Sequence, residues 1–122
     1  MELSGFLAAM RSREELSLRE LKDRAEELDH TYIYRLEKGD RGSPSPEVRQ
    51  RLGTALRLDE REQQVLELLS EQSVDDALYR IMMSDRTIPW DDLRDVARLS
   101  FRGERPTTEE AWMKRIRMIQ EL

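Results

Sequence analysis

The chain has 122 residues and a mass of 14.5 kDa, near the modal size of one domain. Its 38% apolar share is too high for a disordered chain, and its 39% charged share leaves room for only a small core. With no cysteine and His30 as the single histidine, a disulfide scaffold, thiolate chemistry and a zinc site built on Cys or His are excluded.

Five glycines and four prolines leave few breaks, and no stretch shows sustained β-branched alternation, so an all-α protein is predicted. No apolar run approaches the ~18–20 residues of a membrane span, and no leader-like segment follows the N-terminus. A soluble, cytoplasmic protein without membrane contact is expected.

Eight helices follow from periodicity and caps, taken in chain order. The first covers roughly residues 3–13, with Leu3, Phe6, Leu7 and Met10 on one face. Ser17 and Glu20 form a capping box for the second, whose inner face is Leu18, Leu21, Ala25 and Leu28. Asp29 caps a third helix, residues 29–38, with Ile33 and Leu36 facing in and Gly39 as its terminator. After the loop Asp40-Arg41-Gly42-Ser43-Pro44, Ser45 and Pro46 open a fourth helix carrying Val48, Leu52, Ala55 and Leu56. Asp59 and Glu62 start a fifth, and Val65, Leu66, Leu68 and Leu69 cover more than one of its faces, which predicts packing on both sides. Ser73 begins a sixth with Leu78, Ile81 and Met82 inside. Pro89 suits the first turn of a seventh, with Trp90, Leu93, Val96 and Ala97. Thr107 and Glu110 box the start of the last, lined by Trp112, Ile116 and Ile119.

Three blocks carry more than fold information: Leu16-Ser17-Leu18-Arg19-Glu20-Leu21, then residues 32–39 (Tyr-Ile-Tyr-Arg-Leu-Glu-Lys-Gly), then 43–48 (Ser-Pro-Ser-Pro-Glu-Val) followed by Ala55-Leu56. Their order and spacing resemble the Cro/phage-repressor, or Xre-like, helix-turn-helix family over roughly residues 3–70. The resemblance implies a five-helix repressor-like domain at 1–72, with additional helices at 73–122 serving dimerisation or partner binding. It implies binding of double-stranded DNA as a homodimer, the third helix entering a major groove about 12 Å wide. Carried over position by position, the base-facing residues would be His30, Thr31, Tyr34 and Arg35, with Arg35 best placed for a bidentate contact to guanine. Lys38, Arg41 and Ser43 would hold phosphates and set the register. The family also suggests a tether between Arg11 of the first helix and Glu37 of the third. The turn departs from the family pattern, which usually has a small residue there. Ala25-Glu26-Glu27-Leu28 is one residue longer and doubly acidic, and Asp29 adds a third carboxylate that opposes phosphate.

Several residues have plainer readings. His30 is equally an exposed first-turn residue without a role. Of Tyr32 and Tyr34, the first is expected packed and the second exposed. Trp90, Trp112 and the methionines are expected in the core or at a two-fold contact, together with the apolar excess of the fifth helix. Asp91 and Asp92 point about 100° apart on a helix, with no nucleophile or third ligand near, so no enzyme activity, metal or cofactor is predicted. Residues 1–58 carry 11 Lys/Arg and 11 Asp/Glu, whereas residues 59–122 carry 10 and 15. DNA contact is therefore expected from the first half. Two functions remain: a sequence-specific transcriptional repressor, or an antitoxin-like or other interaction module whose acidic C-terminal half binds a partner protein.

Overall fold

A computed structural model of the chain describes residues 1–26, 28–39, 42–99 and 105–122. The protein is all-helical, with eight helices and no strand among the described residues. They fall into two compact units, Met1–Ser73 and Val74–Leu122. The first holds α1 (Leu3–Arg13), α2 (Leu18–Ala25), α3 (His30–Lys38), α4 (Pro46–Ala55) and α5 (Glu60–Leu69). The second holds α6 (Asp76–Ser84), α7 (Trp90–Arg98) and α8 (Glu109–Gln120). None of the described helices is long and apolar enough to cross a membrane.

In the first unit the helix starts are set by side-chain caps. Ser17 Oγ accepts from the Glu20 N–H and Glu20 Oε1 accepts from the Ser17 N–H, each at 3.1 Å. These bonds, the backbone one first, hold the Glu20 carboxyl below its ordinary value. The cap is therefore fully present above the unfolded carboxylate pKa and is lost as pH falls through the lower folded value. Asp59 and Glu62 make the same reciprocal pair at 2.8 and 2.9 Å. Ser45 Oγ accepts from the Val48 N–H, with Pro46 in the first turn where its missing N–H costs nothing.

Helix ends are less orthodox. Gly39 closes α3 in the left-handed region at φ 77, as its residue type invites. α1 and α4 end in the same way without a glycine: Glu15 has φ 56 and Arg57 has φ 55. At both, the next two N–H groups fold back on the last turn, Glu15 to the Ser12 carbonyl and Leu16 to that of Arg11, Arg57 to Thr54 and Leu58 to Gly53.

α1 packs on α3 and α5, α2 on α3 and α4, and α4 on α5. Phe6, Leu7, Leu21, Ile33, Leu36, Leu52, Leu56, Val65 and Leu66 form the core, and full burial of each large side chain contributes ~1.5–3 kcal/mol. Leu68 and Leu69 are buried too, so α5 is covered on both sides. Gly53 is needed where α4 meets α5. A Cβ there would lie 1.7 Å from Gln63 Oε1, whose side chain crosses α4 to reach the Arg49 carbonyl.

The connection out of α2 carries strain. Glu26 sits at φ 40, ψ 143, a region that L-residues rarely adopt. Glu26→Gly should therefore raise the stability of this unit by about 1 kcal/mol, the relieved strain exceeding glycine's greater freedom in the unfolded chain. Slower amide hydrogen exchange in α2 and α3 is the expected readout; faster exchange would show that Glu26 is not strained.

The second unit departs from the predicted helix starts. α6 begins at Asp76 and not at Ser73, because Asp75 caps it through the Ala77 N–H and the same Oδ1 accepts from Trp112 Nε1 at 2.9 Å. Ser73 has too short a side chain to serve both. Pro89 stands at the N-cap of α7, one residue before its first turn. The Thr107–Glu110 box does not form: Thr108 caps α8, accepting from the Ala111 N–H, with Pro106 buried just ahead of it.

α8 packs on both α6 and α7. Leu78, Ile81, Met82, Leu93, Val96, Trp112 and Ile116 make the core. Trp112 is only 2% exposed and Met82 is fully buried, so neither offers the two-fold surface that their residue types suggested. The same holds for the apolar positions of α5. The exposed apolar side chains of this unit are Leu99, Met118 and Leu122, and Trp90 is half-buried.

The acid excess is also displaced from its expected place. Residues 74–122 carry nine Lys/Arg and ten Asp/Glu, nearly balanced; the excess lies at 59–73, in and around α5. Three of those carboxylates already have internal partners: Asp59 caps α5, Glu62 accepts from Arg13, and Glu67 accepts from Arg49.

Candidate nucleic-acid interface

The geometry of α3 follows from two apolar positions. Ile33 and Leu36, both buried, fix one face against α1 and α2. The helical period then turns His30, Thr31, Tyr34, Arg35 and Lys38 to solvent, and all five are exposed. Tyr32, between the two faces, is half-buried.

A buried ion pair sets the orientation of this helix. Arg11 of α1 meets the Glu37 carboxylate edge-on, Nε to Oε2 at 2.8 Å and Nη2 to Oε1 at 3.0 Å. Its Nη1 donates to the Leu16 carbonyl at 2.8 Å. One guanidinium thus ties α1, α3 and the segment entering α2. The hydrogen bond to Glu37 raises the Arg11 pKa above its ordinary value, against the lowering effect of burial.

The other arginines of the first unit divide into two sets. Arg13 bridges α1 to Glu62 and to the Leu56 carbonyl at the end of α4. Arg24 reaches Glu14 and the Ala55 carbonyl, both at 3.4 Å. Arg49 joins Glu67 and donates to the Pro44 carbonyl at 2.7 Å. These guanidiniums are tied within the fold. Arg35, by contrast, is exposed and makes no hydrogen bond or ion pair through its guanidinium among the described residues. Lys38 folds its ammonium over the Tyr34 ring, 5.4 Å from the centroid, which keeps both side chains on the outward face.

α2 contributes two further exposed cations that the sequence analysis passed over, Arg19 and Lys22. The signal was present in the period: with Leu21 and Ala25 buried, positions 19 and 22 turn outward. Not every expected phosphate ligand is presented. The Ser43 hydroxyl donates its single proton to the Ser70 carbonyl, so it has none left for a phosphate oxygen in this arrangement. Arg41 lies outside the described residues.

Carboxylates border the same face. Asp29 caps α3 through the Thr31 N–H at 3.0 Å, and its Oδ1 lies 3.5 Å from His30 Nδ1. It occupies the positive end of the helix, where an anion such as phosphate would otherwise bind. Glu26 is exposed at the end of α2, and Glu27, the other acid of the turn, lies outside the described residues.

A protein-family model described as a helix-turn-helix domain matches residues 2–66. No curated protein matches the chain.

Proposed function

The chain belongs to the helix-turn-helix domain family, and on that premise we propose that it is a sequence-specific DNA-binding regulator of the Cro/phage-repressor type. The observation that carries this reading is the outward face of α3. There Thr31 and Arg35 stand one turn apart, Arg35 without a partner among the described residues, on a helix anchored from behind by Arg11 and Glu37. Arg35 reads a guanine through its two-pronged guanidinium, while His30, Thr31 and Tyr34 contact neighbouring base edges. Lys38, Arg19 and Lys22 neutralise phosphates and fix the register. No cofactor or catalytic residue enters this mechanism.

One α3 covers too little DNA for operator affinity, so the regulator binds as a homodimer on two half-sites about one helical turn apart and represses by occupying them. The rival role, capture of a basic protein by an acidic C-terminal half, is weakened by the near balance of charge in residues 74–122.

Selection from a random duplex pool, followed by titration of the selected and a scrambled duplex at fixed salt, tests the reading. The selected duplex should bind ~10³-fold or more tightly. Equal affinity for both duplexes would overturn it.

A further inference from the structure

Outside the first unit, one surface is strongly cationic. Arg105, Ala111, Lys114, Arg115 and Met118 border a groove on α8 that has no carboxylate among its lining residues. Arg117 follows on the exposed side of the same helix, and Met118 is 55% exposed. The carboxylates of this unit are largely engaged elsewhere. Glu109 meets Arg80 at 3.4 Å and Asp91 meets Arg94 at 3.2 Å. Asp92 accepts from Gln120 at 3.2 Å, and Asp75 accepts from Trp112 at 2.9 Å. Lys114 and Arg117, three residues apart on α8, make no ion pair among the described residues. Their like charges repel, and the helix tolerates this on a chain whose net charge is −5.

We propose that this face of α8, formed by Arg105, Lys114, Arg115 and Arg117, is a sequence-independent contact for the phosphate backbone of the DNA that α3 reads. The inference rests on the DNA-binding reading and extends it to the second unit. Charge selects the occupant. A second copy docked symmetrically through α8 would bring these cations against themselves, whereas a polyanion neutralises them. The segment between α5 and α6, Ser70–Asp75, keeps this face tethered to any duplex held by the first unit. Weak phosphate contacts then act at the millimolar effective concentrations of a short linker.

The test uses the full chain carrying Lys114→Gln, Arg115→Gln and Arg117→Gln together, titrated with the selected and the scrambled duplex across a salt series. All three side chains are exposed, so circular dichroism should match the wild type. Affinity should fall by the same factor on both duplexes, by about one to two orders of magnitude at low salt. The slope of log affinity against log salt should become shallower by about two to three. A charge-keeping variant, Lys114→Arg with Arg115→Lys and Arg117→Lys, should retain the wild-type slope.

An unchanged slope in the glutamine variant would overturn the inference while leaving the α3 reading intact, provided that the wild type still prefers the selected duplex. Loss confined to the selected duplex would also overturn it, since a backbone contact cannot discriminate. Wild-type DNA binding with loss only of a polyglutamate peptide would identify an acidic protein segment as the occupant instead. If the wild type binds neither duplex, both the reading and this inference fall.

Discussion

Arg11→Ala is expected to destabilise the first unit by about 3 kcal/mol, the low end for breaking a buried ion pair because Arg11 is itself partly exposed. The cost is asymmetric. Removing Arg11 strands the Glu37 carboxylate, whose side chain is 8% exposed, and leaves the Leu16 carbonyl without this donor. Glu37→Ala strands only a guanidinium that is 26% exposed and can turn to water, so its loss should be smaller. A double variant, Arg11→Met with Glu37→Leu, should recover much of the stability of Arg11→Ala, since no charge is left unpaired. Urea midpoints followed through α3 amide signals would order the three. If Arg11→Ala proved no worse than Glu37→Ala, the pair would not anchor α3 as its geometry indicates.

The second large effect concerns reading. Arg35→Ala should cost ~1–3 kcal/mol at one base pair in each half-site, and preference at that position should relax. Arg35→Lys separates charge from shape. It keeps the cation, and hence the salt dependence, but loses the planar fork, so preference should fall nearly as far as in the alanine variant. Competition titrations with duplexes substituted at each half-site position would locate the affected pair. Equal losses on selected and scrambled DNA would reduce Arg35 to a phosphate anchor.

Much of the fold was legible because the first unit uses local signals that agree with one another. Ser17 with Glu20, Asp29, Ser45 with Pro46, and Asp59 with Glu62 all cap the helices they were expected to cap. These rules act over three or four residues and need no knowledge of the rest of the chain. The starts of α6 and α8 were misplaced because the deciding partner is distant: Asp75 is selected by Trp112, 37 positions away. The left-handed ends at Glu15 and Arg57 lack the glycine that normally marks such a turn, so no residue type gave them away. At the candidate interface, periodicity sufficed for the outward set on α3. The pairing of Arg11 with Glu37 came from family resemblance, and the diversion of the Ser43 hydroxyl to Ser70 from neither. A hydroxyl's direction depends on which carbonyl the fold brings beside it.

Both tryptophans, Trp90 and Trp112, belong to the second unit, and the first has none. Intrinsic emission excited at the red edge of the indole band is therefore a private signal of residues 74–122. The Trp112 indole, sealed in the core with its N–H held by Asp75, reports loss of that core by a red shift as water reaches the ring. Melting of the first unit is silent in this channel and must be followed through its helical dichroism. Comparing the two optical transitions therefore measures, without any label, whether the halves of this chain unfold as one cooperative body or as two.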